Sequence, residues 1–282
     1  MSTLTQFYGA SAANLVPVEL LMVGGGGPGS QVTNALSSST GQGRSGGGSG
    51  RLIFSSTTVS KSLEYTITIG AGGSSSAGSN GNSSFFGLIE ANGGLTAGPS
   101  VRPALCGSIG GQTNVTGASN TQTTTSLNIT PVPVFMQINS ADNFYYSLAH
   151  LGGFGVSTIS GAGGGGGAGS WGAGSTAGSG FPVSIVGSSV FYASGGPGRL
   201  GNAGTASGVA GTANTGNGGG GASILAFPPL DTYLGGNGGS GVVIIAYRDT
   251  YPAPTSITGT YDEPTRTGYR VYRFTGSGSI TF

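Results

Sequence analysis

The residues best placed to do chemistry are three glycines near the start of the chain. Gly24, Gly26 and Gly29 follow a short apolar run, Val18–Val23, at the spacing of a dinucleotide-binding turn. Such a turn must open a helix, and it needs an acidic residue about 20 positions later to bind the ribose. Here the segment that follows is polar and glycine-spotted, and the next acidic residue is Glu64. We therefore expect no nucleotide and no other cofactor.

Side chains that could act in catalysis are few and scattered. His150 is the only histidine, so a metal site or a Ser–His–Asp arrangement would depend on it and on a partner such as Asp142. A single histidine at the edge of a loop is more often a surface residue. The eight acidic residues are dispersed along the chain. We predict that the protein is not an enzyme and holds no metal; a depolymerase with converging carboxylates is the catalytic alternative.

Aromatic side chains in or next to glycine-poor loops are stronger candidates for binding. An exposed ring can stack on a sugar or fill a protein pocket, and Tyr and Trp are enriched at binding hot spots. Alternatively, the rings pack the loops onto the scaffold. The two interpretations are balanced for residues 144–146. For Trp171, packing or the capping of a rod edge is favoured, because it lies inside a glycine tract. The candidate binding residues are Phe135, Phe144, Tyr145, Tyr146, Trp171, Phe181 and Tyr233.

The scaffold that must position these side chains is dominated by glycine. Glycine supplies 61 of the 282 residues, and the longest tract is Gly161–Gly180. Small residues recur at every third place in this tract and again between Gly198 and Gly211. Three residues per turn is the repeat of the polyproline II helix, which has no internal hydrogen bonds. Each peptide must therefore bond to a neighbouring segment, and glycine allows the backbones to approach.

We predict from this pattern a stiff bundle of polyglycine II rods and not a flexible linker. The tracts alternate with short apolar strands, whereas disordered chains lack such strands and usually carry many charges. Leu63–Ile69 alternates apolar and polar residues, and Val242–Tyr247 is the most strand-like run. The predicted fold class is mainly β and irregular, with short β-strands, a bundle of polyglycine II helices and essentially no α-helix.

Changes in composition divide the chain into five parts. The last part contains two apolar runs, Tyr269–Phe274 and Ile280–Phe282, which we expect to pair as a hairpin beside Val18–Val23. The predicted parts are an N-terminal attachment arm (1–15), the first half of a glycine-rich core (16–98), a glycine-poor insertion (99–150), the second half of the core (151–247) and a C-terminal β-hairpin (248–282).

The charge balance and the single cysteine argue against several classes of protein. Charged residues make up 6% of the chain and the net charge is +1, so the basic face that nucleic-acid binding needs is missing. No apolar run reaches the length of about 18 residues that predicts a membrane span. The N-terminus has no secretory-signal pattern, and Cys106 has no cysteine with which to pair. We expect assembly in a reducing cytoplasm.

Several sequence blocks, taken in order, carry a resemblance to a known family. They are GGGGPG after the first strand, then YTITIGAGG, SSFFGLIEANGG, VGSSVFYASGGPG, GGNGGSGVVIIAY and the closing GYRVYRFTGSGSITF. Together they resemble the glycine-rich domain of bacteriophage tail-fibre and adhesin proteins, which are common in marine phages and cyanophages. The resemblance implies a polyglycine II sandwich in a virion tail that binds a receptor through loops between its rods. The insertion at 99–150 departs from the family, so the place of binding is left open.

The leading hypothesis is a non-enzymatic protein of the phage tail that binds a receptor on the host surface. The receptor would be an outer-membrane protein or a surface glycan, and residues 1–15 would attach to other tail proteins. By analogy with tail fibres, a homotrimer is expected. The alternative is a structural virion component, such as a fibre, collar or head decoration, whose loops contact other virion proteins.

Overall fold

The computed structural model describes residues 14–33, 42–96, 145–148, 162–201, 204–225 and 232–282. These residues form β-strands and extended glycine-rich segments, and no α-helix occurs among them, which confirms the predicted fold class. The strands are β1 (Leu15–Val23), β2 (Val32–Thr33), β3 (Gln42–Gly43), β4 (Leu52–Ser60), β5 (Glu64–Thr68), β6 (Ser84–Phe86), β7 (Ile89–Ala91), β8 (Tyr145–Leu148), β9 (Phe181–Val183), β10 (Val190–Tyr192), β11 (Ser223–Ile224), β12 (Thr232–Tyr233), β13 (Val242–Arg248), β14 (Ser256–Asp262) and β15 (Tyr269–Thr281).

One antiparallel sheet of nine strands holds most of the apolar side chains. Its order is β7-β6-β5-β15-β13-β1-β4-β8, and β14 pairs with β15. Strands β1 and β13 lie inside the sheet, and most of their residues are buried on both faces. Burial on both faces explains why these two strands are nearly continuous runs of Val, Ile and Leu.

The two faces of the sheet form two separate cores. On β1, Leu20 and Met22 enter the first core, whereas Leu21 and Val23 enter the second. The first core also contains Phe86 of β6, and β1 touches β6 although three strands lie between them in the sheet. The sheet is therefore strongly curved around the first core. Strands β9 and β10 cover the second core.

Glycine-rich rods extend the strands beyond one end of the sheet. Val23 is paired with both Leu52 and Val242 at this end, and a rod adjoins each of the three residues. We call the end of the rods next to the sheet proximal and the other end distal. The described rods are residues 24–30, 44–51, 70–73, 79–83, 92–96, 162–168, 170–174, 175–180, 193–199, 206–212, 216–222 and 235–241.

Hydrogen bonds between rods repeat every three residues, as the polyglycine II geometry requires. Rod 44–51 shows the pattern most completely, because its successive N–H groups point to three different neighbours in rotation. Arg44, Gly47 and Gly50 donate to carbonyls of rod 216–222, Gly46 and Ser49 to rod 162–168, and Gly48 and Arg51 to rod 92–96. The donor–acceptor distances in this set are 2.8–3.0 Å. The predicted sideways bonding between main chains is thus confirmed.

The rods lie too close together for side chains at most of their glycines. A Cβ atom added to Gly219 would lie 2.0 Å from the carbonyl oxygen of Gly236, and one added to Gly47 would lie 2.2 Å from that of Gly27. Neither contact can be relieved by rotating a side chain, because both obstacles are main-chain atoms. The adjacent Gly220 differs, since its Cβ would lie 3.3 Å from the nearest atom, the nitrogen of Val209.

The neighbouring glycines of rod 216–222 allow a matched test of this constraint. We expect Gly219→Ala to lower the free energy of unfolding by about 3 kcal/mol, because rods must separate to admit the methyl group. We expect Gly220→Ala to change it by less than about 1 kcal/mol, because a smaller shift is offset by reduced freedom of the unfolded chain. Chemical denaturation of both variants measures the difference, and equal losses would contradict the steric explanation.

A buried serine joins the sheet to the rods. Ser84, at the start of β6, is fully buried, and its hydroxyl donates to the carbonyl of Val23 at 2.7 Å. The same hydroxyl accepts the N–H of Gly70 at 3.0 Å. It therefore satisfies main-chain groups at the place where strand pairing changes to rod pairing.

Replacement of this serine should destabilise the junction. We expect Ser84→Ala to cost about 1–3 kcal/mol of stability, because the buried N–H of Gly70 loses its acceptor. The control is Ser83→Ala, which removes only an exposed hydrogen bond to Glu90 and should cost less than about 1 kcal/mol. Thermal unfolding of the two variants measures the effect; a loss for Ser83→Ala as large as that for Ser84→Ala would refute it.

The tract Gly161–Gly180 does not form one continuous rod. Its described part runs as rod 162–168, turns back as rod 170–174 and turns again into rod 175–180. Bonds from Gly167 to Ser170 and from Gly164 to Gly174 join the first two passes, and Gly178 donates back to Gly165. The second turn is tight, with φ of +52° at Gly174. The rod therefore reverses near Trp171 and Thr176, although small residues keep their three-residue repeat through both turns.

The predicted hairpin between Tyr269–Phe274 and Ile280–Phe282 is wrong. Residues from Tyr269 to Thr281 form a single strand, β15, whose antiparallel hairpin partner is β14. Strand β13 separates β15 from β1, although Ile280 and Phe282 share the first core with Val18. Glycine in Gly276-Ser-Gly278 suggested a turn, but here a long strand pairs with β13 along its first half and with β5 along its second.

Candidate functional site

At the distal end of the bundle, several connections between rods leave the scaffold. Rods 24–30, 44–51, 193–199 and 216–222 end side by side there: Ser30 donates to Ser45, Ala222 to Ser30, Arg44 to Ala222, and Arg199 to Arg44. The connections that leave this end include residues 34–41, 202–203 and 226–231, which lie outside the described residues. At the proximal end, most rods continue into the sheet, and a turn joins rod 206–212 to rod 216–222. The turns at 74–78 and at Gly174 lie at rod ends that face away from the sheet.

Two short strand pairs close the distal end. Strand β2 pairs with β12 and β3 pairs with β11, so the connection after rod 24–30 is tied to the one after rod 216–222. Val32, Ala222 and Ile224 form a small third core beneath them, and Tyr233 packs against it. We call these two strand pairs, with Gln31, Arg44, Leu225 and Leu234 beside them, the distal cap.

Arg44 is the charged residue of the distal cap. Its Nε donates to the carbonyl of Gln31 at 3.0 Å and its Nη2 to Oε1 of Gln42 at 2.9 Å. Both of these acceptors are neutral, and burial lowers the pKa of the Arg44 guanidinium. The side chain therefore fixes the ends of β2 and β3 through hydrogen bonds.

Comparison with known proteins decides the family. The family described as "Glycine-rich domain" matches residues 4–248, which is most of the chain. The chain belongs to this glycine-rich domain family. No match was found among curated proteins or among solved structures. The family match carries no source and no binding partner, so it supports the scaffold alone.

Within the glycine-rich domain, the predicted aromatic residues do not gather at one site. Tyr233 lies in the distal cap, where it is partly buried against the third core. Trp171 begins the second pass of the long tract and is 57% exposed. Phe181 is partly buried against the second core, at the proximal side. Of the two roles that the sequence context favoured for Trp171, its exposure disfavours burial in a core and leaves the capping of a rod edge.

The remaining candidates lie in or near the glycine-poor insertion. Phe135 and Phe144 lie outside the described residues. Tyr145 and Tyr146 belong to β8, paired with Ser55 and Phe54 of β4. This last part of the insertion is therefore an edge strand of the large sheet and not a free loop.

Sequence reasoning missed several exposed apolar residues of the domain. Leu225 and Leu234 are 47% and 41% exposed in the distal cap, and Phe191 is 58% exposed on β10. The two leucines lie on either side of residues 226–233, and their position next to a rod end was the available signal. Phe191 follows the small polar run Gly187-Ser-Ser189, which gave no such signal.

A cluster of charged and aromatic side chains stabilises the opposite, sheet side of the domain. Arg266 binds both carboxylate oxygens of Glu19, at 2.6 and 3.0 Å, and its guanidinium lies 3.6 Å from the ring centre of Tyr269. Hydrogen bonds to Glu19 raise the pKa of Arg266. This pairing ties the turn before β15 to β1, two strands away in the sheet.

Arg266 should resist conservative replacement. We expect Arg266→Lys to lower stability by about 1–2 kcal/mol, because an ammonium cannot reproduce the bidentate geometry or the stacking on Tyr269. The control is Arg273→Lys, whose partner Asp262 is more exposed, with side-chain exposures of 36% and 51% for the pair. We expect this control to cost less than about 1 kcal/mol. Denaturation curves for both variants measure the two losses of stability. Similar losses for Arg266→Lys and Arg273→Lys would contradict a special role for Arg266.

In the described part of the chain, the His, Cys, Asp and Glu side chains form no group that could hold a metal ion. None of its segments is a helix long and apolar enough to cross a membrane.

Proposed function

We propose that this glycine-rich domain is a receptor-binding protein of a bacteriophage tail, with the distal cap and its connecting segments as the binding surface. The observation that carries the proposal is the polarity of the molecule. A sheet closes one end of the rods, whereas several connections between rods leave the other end. A surface built in this way can change its loops without changing the scaffold.

Rigidity of the bundle supports this role. Each rod is held by hydrogen bonds to several neighbours, so the ends of the connecting segments keep fixed separations. Loops that are held in place before binding lose less conformational freedom when they bind. Many copies on one particle would add avidity to modest single-site affinity.

The chemistry of the described cap suits a receptor with both apolar and polar contacts. Leu225 and Leu234 offer apolar surface, and Gln31 and Thr232 are exposed polar neighbours. The host receptor is proposed to be an outer-membrane protein or a surface glycan. Residues 1–15 are proposed to dock into other tail proteins of the virion, with a homotrimer as the expected assembly.

Matched substitutions at the two ends of the molecule test the proposal. The distal variant is Leu225→Ser with Leu234→Ser, and the control is Leu63→Ser with Leu88→Ser, which are exposed on the sheet side. Labelled protein is applied to a panel of bacterial strains. We expect the distal variant to bind at least about tenfold more weakly, a loss of about 1.4 kcal/mol, and the control to bind like the native protein. Unchanged binding by the distal variant, or equal loss by the control, would overturn this placement.

The insertion needs a separate test that spares β8. Removal of residues 100–140 leaves Tyr145–Leu148 in place to pair with β4. If the insertion supplies the receptor contacts, cell binding is lost while the melting temperature is retained. Retained binding would assign the contacts to the other distal connections.

The structural alternative is favoured by one specific feature, the exposed apolar side chains on the sheet side. Leu63 and Leu88 are 56% and 103% exposed, as expected for residues that contact another virion protein. Electron microscopy of the assembled particle distinguishes the two roles. A distal cap that faces outward at the tail tip supports receptor binding, whereas a cap buried against other virion proteins supports the structural role.

A further inference from the structure

The perimeter of the rod bundle carries side chains at every strongly exposed position. Within the described rods, no glycine is strongly exposed; the exposed glycines next to them, Gly78 and Gly169, lie in turns between rods. The exposed rod residues are Ala71, Ser79, Asn80, Asn82, Trp171, Ala173, Thr176, Ser179, Pro197, Ser207, Val209, Ala210, Thr212 and Asn237. The rule holds in one direction only, because small side chains are also buried among the rods, namely Ser45, Ser49, Ala162, Ala168, Ala193 and Ala222.

The outer rod 206–212 shows what this arrangement does. Gly208 and Gly211 face the bundle, and Cβ atoms added there would lie 1.9 and 2.2 Å from carbonyl oxygens of rod 216–222. Both glycines also donate hydrogen bonds inward, to Leu234 and Asn237. The positions between and beside them carry side chains that face solvent, and Val209 is 69% exposed.

The same rod has main-chain donors that point away from its neighbours. The N–H groups of Ser207 and Ala210 have no acceptor among the described residues. Those of Val209 and Thr212 point, like the N–H of Ala206 that donates to Ser223, toward rod 216–222. Unpaired donors along an extended edge are a template for the addition of another chain, as at the edge of a β-sheet. Within the bundle, main-chain N–H groups of the same kind bind the carbonyls of neighbouring rods wherever glycine allows the backbones to come close enough.

The usual protection of such an edge by charge is missing here. Lysine is the common edge-protecting residue, but the only lysine, Lys61, lies between β4 and β5 and not on a rod. The outer rod 206–212 has no charged residue at all. Protection of this rod against the addition of another chain must therefore come from the steric bulk of its side chains.

We propose that the outward Cβ atoms form a steric sheath that ends the bundle laterally and prevents copies of the protein from joining rod to rod. A side chain on the outer rod keeps an approaching backbone beyond hydrogen-bond distance, because close contact between rods leaves no room for a methyl group at most glycines, as at Gly208 and Gly211. The sheath is independent of the receptor-binding proposal, since it depends only on the rods.

Removal of the sheath from one rod tests this inference. The test variant replaces Val209, Ala210 and Thr212 with glycine, and the control, Val209→Ala with Thr212→Ala, trims the same side chains but keeps every Cβ. Sedimentation of the full chain over a range of concentrations gives the mass. We expect the glycine variant to form species at least twice the native mass as concentration rises, and the control to match the native protein. A glycine variant that stays folded and keeps the native mass at all concentrations would overturn the proposal.

Amide hydrogen exchange distinguishes rod pairing from aggregation of unfolded protein. In rod-to-rod association, the N–H groups of residues 207 and 210 become protected, while Gly208, Gly211 and the rest of the bundle keep their native protection. Should the triple variant unfold, the single substitution Val209→Gly provides the same readout with less loss of stability. Association that is equally strong in the alanine control would refute the role of the Cβ atoms.

Discussion

The hydrogen bond between one rod's N–H and a neighbouring rod's carbonyl is the interaction on which this molecule depends. A polyglycine II rod has no internal bonds, so its peptides are satisfied only by other rods. Rod 44–51 donates to three different neighbours in rotation, and that arrangement exists only if backbones touch on several sides at once. Glycine is therefore required by distance between main chains, and the side-chain cores are confined to the sheet and to the small third core of the distal cap.

The repeat of small residues was enough to predict the bundle. The period of three residues indicates the polyglycine II helix, and the high glycine content indicates backbones in close contact. The strands β1, β5 and β13 were also predictable from apolar runs and alternation. The repeat of small residues did not predict where a glycine tract reverses direction. Gly161–Gly180 keeps its triplet beat through most of its length, but a turn at Gly174 costs glycine little, so composition hardly distinguishes a straight rod from a folded one.

The prediction of a hairpin within the C-terminal strand β15 was wrong for a related reason. Gly276 and Gly278 suggested a turn by their type, yet long-range pairing with β5, β13 and β14 keeps the segment extended. The aromatic candidates show the same limit at the site. Tyr145 and Tyr146 looked like loop residues, but pairing with β4, which no local pattern reveals, makes them part of an edge strand. Leu225 and Leu234 were missed because exposure depends on the ends of rods that are far apart in sequence.

Rotation of hydrogen bonds among three neighbours also limits how such a chain can change length. Each residue turns the rod by a third of a revolution, so one inserted residue would redirect every later N–H to a different neighbour and carry every later side chain toward an occupied position. Insertion of three residues restores the phase. Rods of this kind should thus vary in length by multiples of three among relatives, whereas the connections at the distal end are free to vary by any number.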